Sequence, residues 1–131
     1  MHGSIYLYSP NSKSMKSNKN SFEGKLYVLI NGAIFSEAAN LAVNIKEKGI
    51  GTFVGEETAG AYEDYTAGER CNLLLPNSKL RLEIPLERSL NLVNDNIDGR
   101  GVQPDIPVPF SLHDFIEGKD SHLDKLMEIL D

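Results

Sequence analysis

The sequence predicts an α/β fold: a mixed sheet with a crossover helix, then an antiparallel hairpin and two C-terminal helices. Three observations carry this. Residues 25–30 (Lys-Leu-Tyr-Val-Leu-Ile) form a near-continuous apolar run rich in β-formers, which suits a strand buried on both faces. Residues 37–48 put Ala38, Leu41, Ala42 and Ile45 on one helical face. Gly51-Thr-Phe-Val-Gly55 follows directly as a second buried strand. Strand, helix and strand in close succession predict a right-handed parallel crossover.

The other elements follow in order. Residues 4–8 (Ser-Ile-Tyr-Leu-Tyr) read as a short strand, and residues 9–21 as a polar, flexible loop whose Lys13, Lys16 and Lys19 are solvated. Lys46-Glu-Lys-Gly49 ends the first helix. Residues 56–68 read as a loop of small residues. Residues 69–75 and 79–84 read as strands joined at Pro76-Asn77-Ser78. Leu80, Leu82 and Ile84 alternate with Arg81 and Glu83, so one face meets solvent. Residues 89–93 are a further candidate strand. Residues 94–109, with Gly99, Gly101, Pro104, Pro107 and Pro109, read as extended loop. In the last helix Ser121 is the predicted cap, and Leu123, Leu126, Met127 and Leu130 share a face.

Length and composition bound the function. The 131 residues, 40% hydrophobic and 24% charged, suit a single globular domain spanning 1–131 with its own core. A net charge of -6 argues against nucleic acid or an anionic membrane as partner. Cys71 is the one cysteine, so an intrachain disulfide and a thiolate metal cluster are both excluded; its strand setting predicts a packed thiol. No apolar run is long enough for a membrane span. No phosphate-binding loop, dinucleotide fingerprint or zinc spacing occurs, and no cofactor is expected. His2, His113 and His122 read as surface residues, and Glu56-Glu57 and Glu63-Asp64 as solvated loop charges.

Ser36 is the chemically informative residue. It lies where the strand ending at Asn31-Gly32 gives way to a helix. Serine is a preferred N-cap, which is sufficient reason for its presence. The same position also sets a hydroxyl beside unpaired backbone N–H groups, as acyl transfer requires of a nucleophile and its oxyanion donors.

Three stretches occur in a telling order: Tyr27-Val-Leu-Ile-Asn31 with Ser36, then Val54-Gly-Glu-Glu-Thr-Ala-Gly60, then Gly101-Val-Gln-Pro-Asp105. Together they resemble the C-terminal part of the tail-specific protease family, the S41 serine peptidases. That family includes carboxyl-terminal processing proteases, the tricorn core protease and the retinoid-binding protein repeats. The resemblance runs from about Ile5 to Val108. It implies the superhelical α/β fold shared with Clp protease and the crotonases, Ser36 as nucleophile and the N–H of Glu37 as one oxyanion donor. Asp98 is the closest match to an assisting acid, and Asp95 the next. The implied partner is a peptide or protein substrate.

The departures are equally specific. Processing proteases carry a lysine base after Gly-x-x-Thr-x-Gly, and this sequence has Ala61 there, with no lysine between Lys48 and Lys79. That is similar to the tricorn-like branch, whose base is a histidine far upstream. On this resemblance the base, and an Asp-x-Arg-x-Asn-x-Gly-Gly segment giving the second oxyanion donor, precede Met1. The chain then reads as a partial catalytic domain, inactive by itself. A degenerate module that binds peptide or an apolar ligand stands as the alternative. A crotonase-type thioester enzyme fits less well, because no Gly-rich oxyanion strand is present. The strand at 25–30 is expected to leave an apolar face open, giving a homo-oligomer. Family members are usually exported; the sequence itself names no compartment.

Overall fold

The structure, a computed structural model, describes residues 18–94 and 99–130. The expected strand at 4–8, most of the 9–21 loop, His2, Asp95 and Asp98 lie outside the described residues. The elements are β1 (Tyr27–Ile30), α1 (Glu37–Glu47), β2 (Thr52–Gly55), β3 (Asp64–Leu74), β4 (Arg81–Leu90), β5 (Ile106–Pro107), α2 (Leu112–Ile116) and α3 (Ser121–Leu130).

β1, β2 and β5 form a parallel sheet in the order β1-β2-β5. Tyr27 pairs with Thr52 and Ile30 with Gly55, while Val54 pairs with Ile106 and Gly55 with Pro107. The core gathers on the central strand: Phe53, Val54, Ile30, Val43 and Val102 are all but inaccessible to solvent. β1 is less enclosed than its sequence suggests; only Ile30 is fully buried, and Tyr27, Val28 and Leu29 are half-buried. β5 lies within the stretch expected to be loop. Its Pro107 removes a donor, which an edge strand tolerates, so the proline content hid a real strand.

α1 begins and ends as expected, but it is rolled. Ala39, Ala42 and Val43 are its buried residues, whereas Leu41, expected to face inward, is 62% exposed. Gly60 explains the roll: a Cβ there would lie 2.4 Å from Ala39 Cβ, so its bare backbone lets this face of the helix come close. Gly49 then stops the helix in left-handed conformation (φ 60°), donating to Lys46 O at 2.9 Å, with Ile50 N–H donating to Ile45 O at 3.3 Å.

β3 and β4 form a separate two-stranded antiparallel ribbon, longer than predicted. β3 takes in residues 64–68, expected to be loop, and β4 runs to Leu90, so residues 89–93 add no separate strand. Tyr65 and Thr66 pair with Ser89 and Arg88 on one side of a register shift between Ala67 and Arg70, and Arg70 to Leu74 pair with Pro85 to Arg81 on the other. The Leu75 N–H···O Leu80 bond at 2.9 Å sets the alternation of the ladder. Counted from it, Pro85 falls in a non-hydrogen-bonded pair with Arg70, and its missing N–H faces the outer edge. Cys71, Leu73, Leu82 and Ile84 share one face, and all four are exposed. The thiol expected to be packed is therefore open, because nothing among the described residues covers this face. The exposed apolar surface thus lies largely on the ribbon and on α2 and α3, neither of which has a fully buried residue.

The cap of α3 is also a correction. Asp120 Oδ1 accepts from Leu123 N–H at 3.0 Å, while the Ser121 hydroxyl donates to Asp114 Oδ2 at 2.9 Å. Asp120 is the capping residue, and Ser121 ties α3 to α2.

Candidate active site around Ser36

Ser36 sits on a loop pinned at both ends. Asn31 makes the first turn: its Oδ1 accepts from Ala33 N–H at 2.9 Å and its carbonyl from Ile34 N–H at 3.1 Å. The carbonyl of Ile34 then accepts from Ala59 N–H at 2.9 Å and Gly60 N–H at 3.2 Å. The loop before Ser36 is thereby fastened to the Glu56–Gly60 segment. Ser36 is the N-cap residue of α1, with φ 55° and ψ −132°. A non-glycine residue there is strained. Its carbonyl accepts the first helical bond, from Asn40 N–H at 3.0 Å. Its hydroxyl makes no capping bond, and the residue is exposed. The serine therefore does not do what a helix-leading serine ordinarily does. The N–H groups of Ala38 and Ala39, which a capping side chain at residue 36 would serve, are left without that acceptor, and Glu37 N–H stands beside them in the first turn.

Among the described residues no base is hydrogen-bonded to Ser36. Ala61 stands at the position that holds the lysine base of the processing proteases. His113 is exposed and lies 3.6 Å from Glu117. His122 is half-buried, with Nε2 3.1 Å from Val108 O. It lines a cleft of about 400 Å³ with Asn31, Phe110, Phe115 and Asp120, and Ser36 is not on its wall. Also among the described residues, no group of three or more His, Cys, Asp or Glu could hold a metal ion, and no helix is long and apolar enough to cross a membrane.

The acids expected to be solvated charges are structural ties instead. Arg100 grips Glu57 with two N–H groups, Nε at 2.8 Å from Oε1, and Gly101 N–H donates to the same oxygen at 2.8 Å. Glu63 Oε1 accepts from Gly99 N–H at 3.2 Å, and Glu56 Oε1 from Phe110 N–H at 3.0 Å. Arg88 pairs with Asp64. Thr58, 3% exposed, completes the join: its Oγ1 accepts from Val102 N–H at 2.9 Å. The signal in the sequence was the Gly-Arg-Gly-Val run, rich in backbone donors, some forty residues after a run of acids.

Asp105, one residue before β5, ties α1 to β2. It pairs with Lys46 of α1 and accepts from Phe53 N–H of β2 at 2.8 Å; Lys46 Nζ also lies 5.1 Å from the centre of the Phe53 ring. Burial pushes the Asp105 carboxyl up, but the Lys46 ammonium and the Phe53 N–H outweigh it and hold it below its ordinary value.

The model of peptidase family S41 matches residues 4–108. The chain belongs to peptidase family S41. The match spans Ser36, the Glu56–Gly60 segment and the Gly101–Asp105 segment, which the structure joins through Ile34, Thr58 and Glu57. No curated protein matches the chain. The mixed α/β architecture, with its parallel and antiparallel sheets, is consistent with an S41 domain, and membership gives the chain a peptidase-related function.

In this S41 chain the Glu57 ties carry a pH signature. The Arg100 guanidinium first, then the Gln103 side chain and Gly101 N–H, hold its carboxyl down from 4.5 to about 2. A carboxyl lowered by folding contributes stability that is complete above its unfolded value and fades as pH falls through the folded one. The contribution of Glu57 should therefore disappear between about pH 4.5 and pH 2. Glu57→Gln is expected to flatten the acid limb of a plot of thermal midpoint against pH. An unchanged acid limb would remove Glu57 from this account.

Proposed function

We propose that Ser36 is the nucleophile of a serine peptidase of the tail-specific, tricorn-like branch, with its base supplied from outside these 131 residues. The observation that carries the reading is the strained backbone of Ser36, which holds an exposed, uncapped hydroxyl at the start of α1. Strain at a non-glycine residue persists where the surroundings fix it, and such sites cluster at catalytic centres. In this reading Ser36 Oγ attacks the carbonyl carbon of a peptide bond, and its proton passes to the base. The Glu37 N–H, aided by the helix dipole, holds the oxyanion. Collapse expels the amine, which takes up the proton, and water then hydrolyses the acyl-enzyme. Asp98 is the proposed assisting acid, and the Clp protease/crotonase-like superhelix the proposed fold of the complete domain.

Ser36→Ala, made in a longer chain that includes the upstream segment, is expected to lower cleavage of an unfolded protein at least about 10³-fold. The 131-residue chain alone should not cleave. Full activity in the Ser36→Ala variant would overturn the assignment. A second reading, a degenerate module that binds peptide or an apolar ligand, is favoured by Ala61 and by the lack of a base on Ser36 among the described residues. Absence of cleavage by the unmutated longer chain would select it. We also place a homo-oligomer contact on the exposed ribbon face of Leu73, Leu82 and Ile84, because apolar patches of this kind mark association sites. Light scattering that reports a monomer at every concentration would exclude it.

A further inference from the structure

Glu37 follows Ser36 directly, and its carboxylate is set differently from the paired acids of this chain. Asp64, Glu57, Glu83 and Asp105 each face an arginine or lysine. Glu37 instead accepts from the Tyr65 hydroxyl at 3.1 Å, and Asn40 Nδ2 lies 3.5 Å from its other oxygen. Among the described residues no cation pairs with it. Neutral donors orient a carboxylate without cancelling its charge. Tyr65 belongs to β3, twenty-eight residues along the chain, so the ribbon reaches back to hold this group beside Ser36. A first-turn acid also suits the helix dipole, but that role needs no clamp from another element.

We propose that Glu37 is a specificity-determining carboxylate that selects a lysine or arginine side chain flanking the scissile bond of a peptide substrate. This rests on the reading of Ser36 as the nucleophile, which fixes where the peptide passes. The cation of the peptide would meet an exposed, oriented charge that no cation among the described residues offsets. A pairing at such an exposed site gives a selectivity of about five-fold, screened by salt. Tyr65 acts as a positioning residue, holding the carboxylate toward the peptide.

The test uses two fluorescent peptides with blocked ends, identical except for lysine or glutamine at one central position. Their binding to the 131-residue chain is read by anisotropy at low and high salt. The lysine peptide is expected to bind about five-fold more tightly at low salt, with the ratio shrinking at high salt. In Glu37→Gln the ratio should fall to about one, and in Tyr65→Phe to an intermediate value. Equal binding of the two peptides, binding of neither, or a preference that survives Glu37→Gln overturns the proposal. Ser36→Ala should keep the preference. Charge-selective binding by a protein whose longer chain never cleaves therefore counts against the nucleophile alone. Ser36-dependent cleavage without charge preference counts against Glu37 alone.

Discussion

Gly55→Ala is expected to unfold this protein or to lower its stability by at least about 4 kcal/mol. Gly55 ends the central strand with φ 126°, in a region that side-chain-bearing residues rarely adopt. A Cβ there would lie 2.1 Å from the carbonyl oxygen of Ile30 and 3.2 Å from His122 Nδ1. The first contact is with backbone, which cannot swing aside. That same oxygen accepts from Glu56 N–H at 2.8 Å, and the Gly55 carbonyl accepts from Val108 N–H at 2.8 Å. Making room for a methyl group would part β1 from β2 and disturb the seam to β5. Circular dichroism melts read the effect directly. A thermal midpoint within a few degrees of the unmutated protein would show that the strand end is more pliant than the contacts imply.

Phe53→Ala ranks next, with an expected loss of about 3–5 kcal/mol. Phe53 is fully buried in β2 and packs with Ile30, Ala42, Val43, Tyr62 and Val102. It is the largest of the fully buried side chains, so truncation removes much of what holds α1 to the sheet. Lys46 would also lose the ring beneath its ammonium. Phe53→Leu, which keeps most of the volume, should cost clearly less. Urea unfolding of the two variants separates the outcomes. Equal losses would mean that the ring's volume is not what the core depends on.

These two sites show what a sequence can reveal. The β1–α1–β2 unit was legible because apolar runs, a serine-led helix and a glycine stop all point the same way. The face that α1 buries was not. Its alanines give little contrast between neighbouring stripes, and the choice rests on the bare backbone of Gly60. β5 was hidden by its own proline, since an edge strand obeys a looser rule than an interior one. Cys71 looked packed because strand alternation tells which residues share a face, not whether anything covers it. Ser36 was legible as the candidate nucleophile through its place in three ordered motifs. Its positive φ was not, because the sequence spells serine where the backbone would favour glycine. The ties of the acids in the Glu56–Asp64 segment were not legible for a related reason. Their partners are guanidinium and N–H groups far along the chain, and pairing over that distance leaves no periodic trace.

If Ser36 has its proposed role, its conformation sets stability against chemistry at one position. Glycine would adopt φ 55° without penalty, whereas a strained non-glycine residue costs about 1–3 kcal/mol. Ser36→Gly should therefore make the fold more stable, while Ser36→Ala keeps the strain and loses only the hydroxyl. Drift toward stability alone would replace this serine with glycine. A chain that keeps serine there carries a standing cost that its fold does not require.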